Sequence, residues 1–528
     1  MSICKRLSLV AAAAIALAAA AADLADASAP AAVVHPAGPF KAADLERARA
    51  NLAEYEWAQK LLANYRERAK SLMAIPSDRI AVAIPAEDPW LQCPCPKCGT
   101  HADYAWRNGL RPDGESAACA KCGQVIPSAD FPEDRIYTAK NLRGEIRSIP
   151  YHEGSEPYYG NRRQFLGGLI NWLKVSRLYK LPDLAYVYAL TGERPYAERT
   201  RELLLRFAET YPGYVVRFRT TAFDSPAANY MASHFADWKY QDSVLVANLA
   251  LAYDLTLSSG LYSDADRLQI ENGIFREYGR LITAHAPTRD WCTNAVPAHL
   301  TGAALAGAML GSHRLMSWVL EGQEGFKSFV AANYHRDGNW NENSPSYAVM
   351  ANEPWWLLLE TLSGFSDSPD YRGAGRYDKI DVFAEIPLSR YLFGALDRAV
   401  MPDGALPANN DSAFGLTLPV QWRDFAACHF GAPPPGEAGG EYALFKRGDT
   451  ASGAPSPPPA SAVLAGPGWA VLRPPAAPGR TALMLNFGPF VGGHAHDSAL
   501  SYTYYDFNRE LVTDLGYLGY THPLRPWM

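Results

Sequence analysis

Apolar residues recur at helical spacing through most of the chain and give way to strict alternation near its end. Residues 40–75, within which runs "KAADLERARANLAEYEWAQKLLANYRERAKSLM", predict one long amphipathic helix. Residues 127–162, with "YHEGSEPYYGNRRQF", read as loop-rich and aromatic. From about 163 to 400 helix follows helix, as in "RQFLGGLINWLKVSRLYKLPDLAYVYALTG", "YQDSVLVANLALAYDLTLSSG" and "NAVPAHLTGAALAGAMLG". Gly, Pro or Asp marks most joins, as helix stops and caps require. Many amphipathic helices on short links predict stacked helical hairpins, open or closed into a toroid. Beyond the boundaries "GAPPPGEAGGEY" and "ASGAPSPPPASA", the runs "EYALFKRG", "GWAVLRP", "TALMLNFG", "ALSYTYYDF" and "ELVTDLGY" read as antiparallel strands. About five strands do not easily close a sandwich. The expectation is therefore a sheet truncated at its C-terminal end, against the alternative of a small complete sheet packed on the helices.

At 528 residues the chain exceeds one simple core. The texture divides it into residues 1–28, 40–150, 151–430 and 440–528. A net charge of −6 gives no global attraction for nucleic acid or an acidic membrane surface, so neither is an expected partner. The opening "MSICKRLSLVAAAAIALAAAAADLADASAP" places Lys5 and Arg6 before an apolar run from Leu7 to Ala22, then small residues at Ala25 and Ala27. That is the pattern of a secretory leader over residues 1–28, with a membrane anchor as the alternative. A secreted or periplasmic protein without stable membrane insertion after processing is expected. Nothing in the chain sets the oligomeric state.

Cys4 belongs to the leader. The remaining cysteines include "CPCPKCGTH" and "CAKCGQVIP", two C-x-x-C-G knuckles about twenty residues apart. Each offers two thiolates from one tight turn, so Cys95, Cys98, Cys119 and Cys122 together suit tetrahedral zinc in a ribbon. Four protein ligands leave no open position, so such a zinc is structural. A pair of disulfides is the alternative in an oxidising compartment. Cys93 is a possible additional ligand, and Cys292 and Cys428 read as buried thiols.

Three segments carry a resemblance: "RDWCTNAVPAHLTGAAL" (289–305), "RDGNWNENSPSYAVM" (336–350) and "GGHAHDSALSYTYYDFNRELVTDLGY" (492–517). With "PDGALPANNDS" (402–412) and "GPGWAVLR" (466–473) in the same order, residues 150–528 resemble the heparinase II/III-like polysaccharide lyases. The pattern is closest to the heparinase III type, because Ala295 follows Asn294. The resemblance implies an α+β multidomain fold, an incomplete (α/α) toroid followed by an antiparallel β-sandwich, with the cleft between them. It implies β-elimination on a 4-linked, uronate-containing acidic polysaccharide, with no organic cofactor.

That chemistry needs a group to neutralise the uronate carboxylate, a base for the α-proton and an acid for the leaving oxygen. By resemblance Asn294 takes the first role, Tyr347 acts as base and then as acid, and His494 shares the proton work or helps to hold the carboxylate. Read without the family, Asn294 is also a candidate N-cap for the helix that follows. His496 and Asp514 match a structural metal site whose third family ligand lies beyond Met528. Tyr240 and Gln241, at the start of a helix, and Trp340 and Glu342, in the loop before Tyr347, are candidate substrate contacts. Two other functions remain open from sequence. A glycoside hydrolase needs two carboxylates from among Glu342, Asp337, Asp237 and Asp403. A non-catalytic carbohydrate-binding surface protein needs none of the three catalytic candidates.

Overall fold

The structure is a computed structural model that describes residues 24–284, 293–431, 440–447, 460–475, 479–489, 494–496 and 499–517. Helix dominates the first part, and the helices that carry the core are buried nearly all round. In Val296–Leu310 every residue but His299 is buried. Lys239–Thr256 is nearly as enclosed. These two helices cross closely at Gly302, where a Cβ would lie 2.8 Å from both the Ser243 carbonyl and the Tyr278 hydroxyl. Leu181–Thr191 and Arg194–Thr210 flank Lys239–Thr256, and Trp355–Leu362 packs against Val296–Leu310. Left-handed glycines close three helices, at Gly192, Gly311 and Gly431.

The single helix expected over 40–75 is two helices, Ala42–Glu54 and Glu56–Met73, broken where Tyr55 turns extended. No strong breaker stands there; packing decides it. The first helix lies on residues 443–447, where Asn51 Nδ2 donates to the Leu444 carbonyl at 2.7 Å, while the second packs on Leu181–Thr191. The run "EYALFKRG", expected as a strand, is instead a helical turn whose segment Ala443–Arg447 has π geometry. Ala443, Leu444 and Phe445 are buried in succession, which no half-buried strand allows, and Phe445 stacks on Phe40 at 4.1 Å.

Residues 24–28, expected to leave with the leader, belong to the fold. Leu24 is buried against Gly279, and Ala27 exchanges two hydrogen bonds with the Asn272 side chain, at 3.0 and 3.1 Å. Residues 1–23, with the rest of the expected leader and Cys4, lie outside the described residues, as does Cys292. Cys428 is exposed, not buried, because it lies on the outer side of its helix. Among the described residues no helix is long and apolar enough to cross a membrane.

The stretch expected as loop between 127 and 162 forms most of an antiparallel sheet, β3 (Arg135–Lys140), β4 (Ile146–Tyr158) and β5 (Asn161–Gln164). Its polar outer faces masked the alternation. Before it, β1 (Ala117–Ala118) pairs with β2 (Val125–Ile126) beside the four knuckle cysteines. This small unit is docked, not free: Ala102, Trp106 and Ile126 share a core with Leu166, Leu169 and Ile170 of the next helix. A short hairpin follows, β6 (Val216–Phe218) with β7 (Thr221–Phe223).

The C-terminal strands form one antiparallel meander in chain order: β8 (Ala462–Leu464), β9 (Trp469–Leu472), β10 (Ala482–Asn486), β11 (Tyr502–Asp506) and β12 (Arg509–Val512). Its inner face, with Leu464, Trp469, Val471, Ala482, Met484 and Tyr505, joins the main helical core. The sheet is seated on the loop before helix Pro345–Asn352. There Gly466 donates its N–H to Asp337 at 3.1 Å, and Asn343 Nδ2 donates to the Pro467 carbonyl at 3.3 Å.

Candidate active site

The helix Pro345–Asn352 begins with a cap and a proline. Ser344 Oγ accepts from the Tyr347 N–H at 3.5 Å, and Pro345 fills the first helical position. Tyr347 therefore leaves the first turn of a fixed helix. Its ring lies on the imidazole of His494, with centroids 3.5 Å apart and planes inclined by 16°. The short helical turn Thr293–Ala295 packs on the same helix and carries Asn294, which is buried. Asn294 is not the cap expected as its alternative role; Ala295 stands at that position. Its amide oxygen has no hydrogen-bond partner among the described residues. The chain thus brings Tyr347 and His494 into contact, with the Asn294 turn against the Tyr347 helix.

The residue that ties this arrangement together escaped the sequence reading. Asp411, fully buried, places Oδ2 3.1 Å from His494 Nδ1 and Oδ1 3.2 Å from His496 Nε2. Its N–H donates to the His494 carbonyl at 3.0 Å, and its own carbonyl accepts from Ser344 Oγ at 2.9 Å. One residue therefore joins the histidine segment to the cap of the tyrosine helix. A carboxylate on Nδ1 fixes the imidazole's orientation and leaves Nε2 of neutral His494 as the acceptor. The available signal was the Asp in "PANNDS", within a segment already matched but not assigned a role.

His496 turns inward and is buried. Its Nδ1 lies 3.0 Å from Asp514 Oδ1, and Asn410 Oδ1 accepts from its backbone N–H at 3.0 Å. Burial alone would lower its pKa, but the hydrogen bonds to Asp411 and Asp514 outweigh it and raise the value to about 9. His496 and Asp514 do meet, yet both ring nitrogens face carboxylates. Among the described residues no third ligand atom completes a metal cluster there. The donor set present fits an ion-paired imidazolium rather than a coordinated one.

The four knuckle cysteines fit a metal well. Their sulfurs all lie within 4.8 Å of one another, with Cys95–Cys122 at 3.6 Å and Cys98–Cys119 at 3.8 Å. A tetrahedron with metal–sulfur bonds of about 2.3 Å has edges of about 3.8 Å. These are free thiols, so the disulfide alternative does not hold here. Gly99 and Gly123, both left-handed, turn the two knuckles. Cys93 is buried outside the cluster.

The remaining candidates divide. Trp340 is 2% exposed, stacked on Phe329 and donating its indole N–H to Glu342 at 2.8 Å. It is a core residue with no face to offer a sugar, and Glu342 serves it. Tyr240 lines a cavity of about 500 Å³ in the helical part, together with Glu353, Trp356 and Asn248. Gln241 is not in that lining; its carbonyl accepts from the Tyr179 hydroxyl at 3.1 Å. A smaller cavity of about 130 Å³ opens beside His496, Asn343 and Asn410. The larger cavity includes Met350 of the tyrosine helix and Glu353, which follows it, but none of Asn294, Tyr347 and His494, so size does not locate the chemistry. Three of the carboxylates that hydrolysis would need are engaged structurally: Asp337 holds Gly466, Asp403 accepts from the Ala405 N–H at 3.0 Å and Glu342 holds Trp340. Asp237 is buried with its Oδ1 unpartnered among the described residues, and burial raises its pKa to about 6.

No family model matches the chain. It is similar to an alginate lyase of Stenotrophomonas maltophilia (strain K279a), 24% identical over 216 residues, which are 40% of this chain and 27% of the relative. The match thus spans about a quarter of that relative's length. Among solved structures it is similar to heparan sulfate lyase HepC from Pedobacter heparinus, at TM-score 0.45 and 17% identity over 91% of this chain and 68% of that one. It is also similar to the alginate lyase A1-III from Sphingomonas species A1, at TM-score 0.35 and 17% identity over 62% of this chain and 91% of that one. The curated relative is itself named as a lyase of a polysaccharide, alginate.

Proposed function

We propose that this chain is an exported polysaccharide lyase that cleaves a 4-linked uronate polysaccharide by β-elimination. The observation that carries the reading is the face-to-face contact of Tyr347 with His494, both held from beneath by Asp411 and Ser344. The named activities of the relatives, on alginate and on heparan sulfate, support the same class of substrate.

The α-proton of a uronate is weakly acidic, and its removal builds charge on the carboxylate. Asn294, buried on the turn that packs on the Tyr347 helix, would direct its amide N–H group at that carboxylate. Tyr347, as phenolate, takes the proton; as phenol, it returns one to the departing O4. His494, with Nδ1 engaged by Asp411, offers Nε2 to the tyrosine or the sugar. In this reading the helices within 151–430 form an incomplete (α/α) toroid and 440–528 contribute to a β-sandwich. The cysteine knuckles hold a structural zinc that takes no part in the reaction. Residues 1–23 hold the leader that directs export, and the segments 40–150, 151–430 and 440–528 act as the functional units.

The test is a panel of uronate polymers followed in the ultraviolet for the new C4–C5 double bond. Absorbance should rise with the natural protein and be lost in Tyr347→Phe. New reducing ends without absorbance would show hydrolysis instead and overturn the proposal.

A further inference from the structure

Two bulky residues stand where hairpin turns favour glycine or asparagine. Tyr159, at φ 50°, and Gly160 form the two-residue turn between β4 and β5, closed by the Tyr158–Asn161 pair. Arg219, at φ 54°, opens the equivalent turn between β6 and β7. Left-handed backbone is costly for such side chains, and strain of this kind persists where surroundings hold it in place. These two residues touch each other. The Arg219 guanidinium lies 3.8 Å from the centre of the Tyr159 ring and 4.8 Å from that of Phe218. Among the described residues no carboxylate faces that guanidinium, so its planar fork of donors is available.

The cysteine module supplies the other side. His101 follows the first knuckle directly, and the Cys95 N–H to Thr100 carbonyl bond, 2.9 Å, ties that turn to the sulfur cluster. His101 Nε2 meets the Tyr159 hydroxyl at 3.2 Å, and Tyr104, one turn on, is 59% exposed. Tyr159 itself is 45% exposed. Inward, Arg219 donates its N–H to the Asp237 carbonyl at 3.4 Å. The next residue, Trp238, stacks at 5.2 Å on Tyr240, which lines the large cavity. A run of contacts, joined at its middle by that backbone hydrogen bond, thus leads from the cysteine module toward the helical part.

We propose that Tyr159, Arg219, His101 and Tyr104 form a second carbohydrate-binding platform, held in place by the metal module, for an acidic polysaccharide. The inference rests on the substrate class proposed above. Ring faces suit the apolar faces of sugars, and the unpaired guanidinium suits a carboxylate or sulfate. Exposed Arg162, just past the turn, adds a second cation. Exposed Asp103 beside His101 sets polarity, because it repels anions from that end and leaves them the Arg219 end.

The test uses the full metal-loaded chain, with sodium alginate and heparan sulfate as probes, and reads binding alone by affinity electrophoresis. Tyr159→Gly removes the ring and relieves the backbone, so its Tm should equal or exceed that of the natural protein while retention by at least one polymer weakens about tenfold. Arg219→Ala should weaken it similarly, and Tyr159→Phe should retain most of it. Binding within about twofold of the natural protein in both disruptive variants overturns the platform, as does failure of the natural protein to bind either polymer. Weakened binding with no unsaturated product from any polymer would sustain the platform and sink the lyase reading. Product formation with unaltered binding in the variants would do the reverse.

Discussion

Asp411→Asn keeps the shape of the side chain and removes the charge that two imidazoles share. Asp411 touches no solvent, so a change there acts through the histidines and not on the sugar. Hydrogen bonds to a charged group contribute about 1.5–3 kcal/mol each. Losing the bond to His494 in the transition state therefore lowers kcat by about 10–100-fold. An amide that turns its NH₂ toward Nδ1 would also favour the wrong tautomer, which moves the expected loss to the upper end of that range. KM should change by less than about twofold, since uniform substrate binding is untouched. Initial rates at saturating polymer, read as ultraviolet absorbance of the unsaturated product, measure both constants. Thermal unfolding of the same sample separates catalysis from folding, because loss of the second bond, to His496, costs further stability. A variant with natural kcat, or one whose whole defect lies in KM, would refute the positioning role of Asp411.

Three other outcomes follow from the same physical picture. Cys98→Ser, or chelation of the natural protein, should remove one metal ion per chain by elemental analysis and expose tryptophan fluorescence from Trp106; a chain that never held metal would refute the cluster. Glu360 is buried and would titrate high, but bonds from His429 at 2.7 Å and Tyr442 at 2.6 Å, with Lys446 at 3.0 Å, pull its pKa down to about 2. Its folded value lies below its free value, so this stabilisation is present above the usual glutamate range and lost as pH falls toward about 2. Glu360→Gln should flatten the acid limb of Tm against pH, and an unchanged limb would contradict the assignment. Gly302→Val should destabilise by about 1–3 kcal/mol or more in denaturant unfolding, because its side chain meets the Ser243 backbone as well as the buried Tyr278 hydroxyl.

Much of the helical part was legible because period and punctuation agreed there. Val296–Leu310 and Lys239–Thr256 are long, apolar and bounded by residues that start or stop helices. The errors came where distant contacts overruled local pattern. Tyr55 breaks a periodic run because two packing surfaces, on residues 443–447 and on Leu181–Thr191, pull its flanks apart. Ala443–Arg447 looked like a strand because it is a short alternating run among others, although most of its residues favour helix, and packing on Phe40 buries Ala443, Leu444 and Phe445 consecutively. Trp340 invited a role in sugar stacking by residue type alone; its burial depended on Phe329 and Tyr334, which no spacing rule pairs with it.

The site shows why its centre was harder to read than its edges. Asn343 and Asn410 are both left-handed, at φ 56° and 57°, and Asn410 Nδ2 donates to the Asn343 carbonyl at 2.7 Å across 67 residues. Asparagine tolerates that backbone better than most residues, so both turns are affordable where the chain must reverse. Each asparagine directly precedes a working residue: Ser344, which caps the tyrosine helix, and Asp411, which holds the histidines. Both turns deliver those residues to the same point, where Ser344 Oγ bonds the Asp411 carbonyl. Tyrosine and imidazole therefore meet because two loops are fastened one layer below them. A substitution that forbids φ above zero at Asn410, such as Asn410→Val, should separate the rings without touching either one.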